Sequence, residues 1–174
     1  INSTEEAVNK KMKDSIELIN STIATVRKIA TDLRPSILDD LGLQAALEWQ
    51  SEEFERRSDT KVIFCNKAGE ISVMPEAATA LFRIYQEVLT NIARHANASQ
   101  VDVSLYSDEK WLYFSIRDNG VGFEVNSIKE KKTLGLLGIK ERSLLIGGTY
   151  EIKSKPGQGS EILISIPLEH VKNN

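Results

Sequence analysis

Asp118-Asn119-Gly120-Val121-Gly122-Phe123, directly after the apolar run 112–116, is the stretch on which the reading of this chain turns. An acid and two glycines follow a strand at the point where a backbone can fold tightly around another molecule. Without a Cβ, Gly120 and Gly122 can adopt positive φ and admit a close approach to the main chain. A carboxylate fixed at the start of such a turn accepts a hydrogen bond from an exocyclic amine. Asp-Asn-Gly is also ordinary turn chemistry, so the hexapeptide alone leaves a ligand loop and a plain turn both open.

The surrounding pattern is periodic. Over residues 4–33, Met12, Ile19, Val26 and Leu33 recur at one heptad position and Ile16, Ile23 and Ala30 at another, predicting a long helix with an apolar seam. Such a helix suits a bundle or dimer seam, or the core of its own domain. Pro35 ends it, because proline lacks an N–H and disfavours helix at Arg34. Residues 36–42 then read as a connector and 43–57 as a second helix. Residues 61–66 read as a strand, and Pro75 begins a third helix running to about Ala96. Runs 100–106 and 111–117 alternate apolar and polar residues around Ser107-Asp108-Glu109-Lys110, the pattern of an antiparallel hairpin. A short helix is expected over 138–146, and a second hairpin over 150–154 and 161–167. The expected fold class is therefore α+β: a two-layer sandwich with a mixed, mostly antiparallel sheet, preceded by the long helix.

Composition narrows the functional classes. The 174 residues are 41% hydrophobic and 27% charged, as in a globular chain with a real core. The net charge of −3 argues against broad nucleic-acid binding. The single cysteine, Cys65, excludes an internal disulfide and suits a reducing compartment, where it reads as a buried structural thiol. No apolar run approaches the roughly 20 residues needed to cross a bilayer.

Three further pieces accompany the glycine loop. Glu87, Asn91 and His95 are four apart and share one helix face, with Arg94 beside it. A carboxylate, an amide oxygen and a cation there suit either a hydrated Mg²⁺ with a phosphate chain or a solvated polar stripe. Leu134-Gly135-Leu136-Leu137-Gly138-Ile139 leads into the short helix, where backbone N–H groups can cradle an anion. Ahead of it, residues 126–133 carry Lys129, Lys131 and Lys132 and suit a lid or a solvated loop. Gly157-Gln158-Gly159-Ser160 offers a close approach and a hydroxyl, or simply a hairpin turn.

The order of these pieces resembles the Bergerat-fold ATPases: Glu/Asn helix, Asp-x-Gly-x-Gly loop, glycine-rich lid, Gly-x-Gly-Ser. Within that superfamily the chain looks like the ATP-binding part of two-component sensor histidine kinases of the nitrate-sensor and thermosensor class. The strings that carry the likeness are Asp32-Leu33-Arg34-Pro35, Leu38-Asp39-Asp40-Leu41-Gly42-Leu43, Gln86-Glu87-Val88-Leu89-Thr90-Asn91, Arg94-His95-Ala96 and Gly138-Ile139-Lys140-Glu141-Arg142. The resemblance implies that residues 1–35 are the second helix of a phosphoacceptor bundle, 36–42 a connector, 43–170 the ATP-binding domain and 171–174 a tail. It implies that Asp118 binds the adenine amine, with Gly120 and Gly122 shaping the pocket. Asn91 ligates Mg²⁺, Arg94 and His95 neighbour the phosphates, and the backbone of Gly135, Leu136 and Gly138 closes over them. Gly159 and Ser160 complete the pocket, the serine standing where threonine is commoner. Glu87 helps to organise the Mg²⁺ site or the attacking histidine.

Neither His95 nor His170 lies in a bundle helix, so the acceptor histidine is expected outside this chain, on a helix preceding it. The implied partners are ATP, a second copy through the N-terminal helix and a response regulator. No nucleic acid is implied, and a membrane only through regions outside this chain, leaving a cytoplasmic location. A protein-serine kinase of the anti-sigma type, a nucleotide-regulated dimer module without activity and a hydrolytic ATPase acting through Glu87 are the competing readings.

Overall fold

The computed structural model describes residues 12, 15, 36–69, 72–125 and 134–171. The chain divides into two compact units, Ile1–Ser36 and Ile37–Asn174. In the first, Met12 and Ser15 are helical. The expected 4–33 helix, its seam and the proline stop otherwise lie outside the described residues, as do the lysine-bearing stretch 126–133 and most of the tail.

In the second unit, α1 (Ser36–Arg57) is interrupted at Gly42, with φ 80 and ψ 179. The predicted connector is thus itself helical up to that glycine, whose left-handed φ lets the chain change direction before the main helix. From Leu43 the apolar positions Leu43, Ala46, Leu47 and Phe54 are buried at helical spacing. Strand β1 (Lys61–Asn66) follows, then α2 (Pro75–Asn91), with proline at its first turn where a missing N–H costs nothing. Strands β2 (Gln100–Ser107) and β3 (Trp111–Asp118) form the predicted hairpin. Helix α3 (Leu134–Leu145) precedes a second hairpin, β4 (Thr149–Ser154) with β5 (Ser160–Pro167).

The sheet order is β1-β2-β3-β5-β4, with β1 parallel to β2 and the other pairs antiparallel. This matches the expected mixed sheet. Its inner face presents Val101, Val103, Leu105, Leu112, Phe114, Ile116, Ile162, Ile164 and Ile166, all buried. Against it lie Leu81, Phe82, Ile84, Tyr85 and Leu89 of α2, four of them with no exposed surface and Leu89 with 2%. Tyr85 stands edge-on to Phe114, with ring centres 5.8 Å apart. Its hydroxyl meets Ser51 of α1 at 2.7 Å, and Ser51 donates to the Leu47 carbonyl, so the buried phenol is satisfied.

The other face of the sheet is mixed, with stacked Tyr106 and Tyr113 and exposed Ile63 beside charged residues. Register aligns Asp102 with Arg117, Arg117 with Glu161 and Glu161 with Lys153, so charge alternates in sign across four strands. At the edge, the Val62 N–H donates to Glu55 Oε1 at 2.6 Å, which blunts one free donor of β1. Cys65, expected to be buried, is half-buried, because register pairs it with Ser104 on the helix-free face.

Candidate functional site

Helix α2 does not continue regularly to Ala96. Residues Ile92–Ala96 form a turn of π-helix, closed by Asn97 in the left-handed region at φ 48 and ψ 42. Asparagine tolerates that conformation better than most residues. Glu87 and Asn91 keep their four-residue spacing within the regular helix, the wide turn alters only the step from Asn91 to His95, and π turns concentrate at functional positions. It also aims the Ala96 carbonyl at the glycine loop, where it accepts the Val121 N–H at 2.7 Å.

That loop is held on three sides. Asp118 is 4% exposed, and its Oδ1 accepts the Gly120 N–H at 2.8 Å, forming an Asx turn. Asn119 Oδ1 accepts the N–H groups of Ser99 and Gln100 at 3.0 Å each, tying the loop to the start of β2. A Cβ on Gly120 would overlap the Ala96 carbonyl, so the glycine is required by proximity. Gly122, at φ 59, sits where a Cβ would overlap the Lys155 carbonyl and approach that of Gly159 at 2.7 Å. The Gly157 N–H donates to the Val121 carbonyl at 2.6 Å, which locks the loop to the β4–β5 turn.

Between these turns and the helices lies a pocket of about 240 Å³. Of the residues anticipated from sequence, Asn91, His95, Asp118, Gly122, Gly135, Leu136 and Ser160 line it. Register sets Asp118 directly opposite Ser160, so both face the same cavity. Gly120 and Gly159 stand behind the wall as spacers; a Cβ on Gly159 would overlap the Asp118 backbone carbonyl. Glu87 sits one layer back, its Oε1 accepting from Asn91 Nδ2 at 3.5 Å. With that nitrogen engaged, Asn91 has its amide oxygen for a hard cation, so the donor chemistry fits Mg²⁺. Arg94 is exposed and does not line the pocket.

Two features differ from the sequence reading. Helix α3 begins at Leu134, not Gly138, so Gly135 and Gly138 lie inside it and not ahead of it. Burial of Ile139 and Ser143, with half-buried Leu136 on the same face, holds this helix in place despite the glycines. Gly135 lies close to the pair Glu87 and Asn91: a Cβ there would displace the Glu87 carboxylate and lie 3.4 Å from Asn91 Nδ2. Gly138 faces Arg142, whose buried Nη1 has no hydrogen-bond partner among the described residues.

The apolar wall was missed. Val88, Ile92, Ala96, Ile116, Phe123, Ile152 and Ile162 line most of the cavity, forming an apolar slot beside its polar groups. Their signal was present in the alternation of β3 and β5, but the same alternation marks any core strand. Ser154 was missed as well: its Oγ accepts the Phe123 N–H at 2.8 Å, donates to the Gly159 carbonyl at 2.9 Å and meets Ser160 Oγ at 3.1 Å.

Comparison with known proteins agrees with this geometry. Residues 76–170 match the family described as histidine kinase-, DNA gyrase B-, and HSP90-like ATPase. The chain is 39% identical over 160 residues to the signal transduction histidine-protein kinase/phosphatase DegS of Brevibacillus brevis, an alignment covering 91% of this chain and 41% of that protein. This sequence thus spans less than half of that relative. The histidine kinase domain of the Erythrobacter litoralis EL346 blue-light activated kinase superposes with a TM-score of 0.58 at 23% identity, covering 73% of this chain and 61% of that one. The Acinetobacter baumannii histidine kinase AdeS superposes at 0.61 and 17% identity, covering 88% and 83%. At such identities the solved structures speak for the fold alone.

Proposed function

The chain belongs to the histidine kinase-, DNA gyrase B-, and HSP90-like ATPase family, and from that premise we propose that it is the ATP-binding catalytic part of a sensor histidine kinase. The observation that carries the reading is the convergence of Asp118, Asn91, Gly135 and Ser160 on one pocket with an apolar slot. The likeness to DegS, itself a histidine-protein kinase/phosphatase, supports histidine as the acceptor. No contact among the described residues favours a serine kinase or an inactive dimer module.

In this reading the adenine ring occupies the slot and its amine donates to Asp118. The phosphate chain runs toward Asn91 and the first turn of α3, whose leading N–H groups lack intrahelical partners. Asn91 would hold Mg²⁺ through its amide oxygen, with Glu87 orienting that amide from one layer back, and the ion would supply charge neutralisation when bound. His95 lines the phosphate side of the pocket, and Arg94 neighbours that side from the surface. The bond between the β,γ-bridging oxygen and the γ-phosphorus breaks, ADP leaves with that bond's electron pair, and a new N–P bond forms from the lone pair of an imidazole supplied by a bundle helix outside this chain. Most of the rate then comes from positioning and charge stabilisation, since the chain offers no covalent intermediate of its own. The phosphoryl group passes on to a response regulator. Pairing of two copies through the N-terminal helix and a cytoplasmic location complete the reading; among the described residues no helix is long and apolar enough to cross a membrane.

Calorimetric titration with Mg-ATP tests the assignment. Asp118→Asn keeps the shape but turns an NH₂ donor toward the ligand amine. Losing a hydrogen bond to a charged group weakens binding about 10- to 100-fold. A folded parent that binds no Mg-ATP would overturn the reading.

A further inference from the structure

We propose that Ser154 is a positioning residue that fixes the hydroxyl direction of Ser160, so that this wall of the pocket offers only acceptors to a ligand's amine. The inference rests on the reading of the pocket as a nucleotide site and adds to it the means of rejecting 6-oxopurines.

A serine hydroxyl has one proton and two lone pairs. Ser154 Oγ has three partners. The Phe123 N–H, at 2.8 Å, can only donate, and occupies one lone pair. The Gly159 carbonyl, at 2.9 Å, can only accept, and takes the proton. What remains for Ser160, at 3.1 Å, is a lone pair, so Ser160 is the donor in that contact. Both backbone partners are pinned, because the Gly157 N–H to Val121 carbonyl bond locks their two turns together. Neither can reverse its role.

Ser160 therefore spends its proton behind the wall and turns lone pairs into the pocket. Asp118 faces it across the strand pair, with Oδ1 engaged by the Gly120 N–H, and a carboxylate likewise accepts. An exocyclic amine carries two hydrogens, one for each acceptor. A carbonyl at the same position sets its lone pairs against theirs, and a buried polar group left unpaired is strongly disfavoured. Ser154 lies outside the cavity lining and reaches the position of a ligand's amine through Ser160.

The test measures binding of Mg-ATP and Mg-inosine triphosphate, which differ in the amine and the carbonyl, by calorimetry. The parent prefers ATP. Ser154→Ala releases the Ser160 hydroxyl to donate to the carbonyl, and the ATP-to-ITP affinity ratio falls about 3- to 10-fold, the range of one neutral hydrogen bond. Ser154→Thr keeps the hydroxyl and the parental ratio. In a Ser160→Ala background, adding Ser154→Ala changes the ratio no further, because the group it acts through is gone. Should Ser154→Ala fail to fold, the nearly isosteric Ser154→Cys, a weak donor and acceptor, carries the same expectation. Equal weakening of both nucleotides by Ser154→Ala, or a fall that persists without Ser160, overturns the proposal while leaving the nucleotide site standing. A parent that binds neither nucleotide overturns both.

Discussion

Gly120→Ala isolates the cost of crowding at the loop. Gly120 is not among the glycines with positive φ, so an alanine meets no backbone penalty there. Its Cβ would instead overlap the Ala96 carbonyl oxygen and come within 2.8 Å of the carbonyl carbon and 2.9 Å of the Ala96 Cβ. These are backbone or near-backbone atoms of the π turn, and they cannot swing aside. Relief requires the loop to withdraw, which lengthens the Val121 N–H to Ala96 carbonyl bond, now 2.7 Å. Overpacking of this kind costs about 1–3 kcal/mol and the bond about 0.5–1.5 kcal/mol. A chain of 174 residues loses about 2–4 °C of Tm per kcal/mol, so the midpoint should drop about 3–18 °C. Gly69→Ala is the control, with φ 71 and no atom within 4 Å of a built Cβ, carrying only the left-handed backbone penalty. Thermal melts by circular dichroism, paired with Mg-ATP titration, separate the two. Gly120→Ala should weaken nucleotide binding as well as stability, whereas Gly69→Ala should leave affinity at the parental value. A Gly120→Ala protein melting within about 2 °C of the parent, less than 1 kcal/mol on this scale, and binding normally would refute the close-approach argument.

Asn91→Ala should remove the Mg²⁺-dependent part of ATP affinity by at least about tenfold, the loss seen when even a ligand's supporting partner is removed. Binding measured in chelator should be unchanged; an equal loss with and without Mg²⁺ would move the metal elsewhere. Burial pushes the Tyr85 phenol up from 10.0 to about 12. The unfolded chain therefore releases this proton first, so the stability tied to it is complete below about pH 10 and is lost as pH rises toward about 12, roughly 2–3 kcal/mol in all. Tyr85→Phe should flatten that loss in denaturant melts across this window. The smaller contributions of Tyr150 and Tyr113, whose pKa values are also raised, should remain. An unaltered alkaline decline in the variant would show that Tyr85 does not carry it.

The strands were legible because alternation on a half-covered sheet is a strong, local signal. Residues 61–66 coincide with the expected strand, and both hairpins begin within one residue of their expected starts. The helix beginning at Pro75 was legible from its start signal, a proline where a missing N–H costs nothing, and the helix expected over 43–57 is present over that range. The π turn at Ile92–Ala96 was not, because it arises from what the Ala96 carbonyl must reach, a contact made far along the chain. The start of α3 was obscured by Gly135 and Gly138, which read as loop residues although the helix runs through both. Polar members of the site stood out by type. Its apolar wall did not, since Ile116 and Ile162 look like any other core residues until a cavity opens beside them.

The cavity straddles the seam between layers: Val88, Asn91 and Gly135 come from the helices, and Ile116, Asp118 and Ser160 from the central strands. A guest lodged there works as a dowel, touching two slabs whose parting is the first movement of any partial opening. Occupancy should accordingly be felt well away from the points of contact, as slower deuterium uptake along the middle of the sheet and the last turns of α2. The mouth that admits the guest is thereby also a place where the whole sandwich can be tightened.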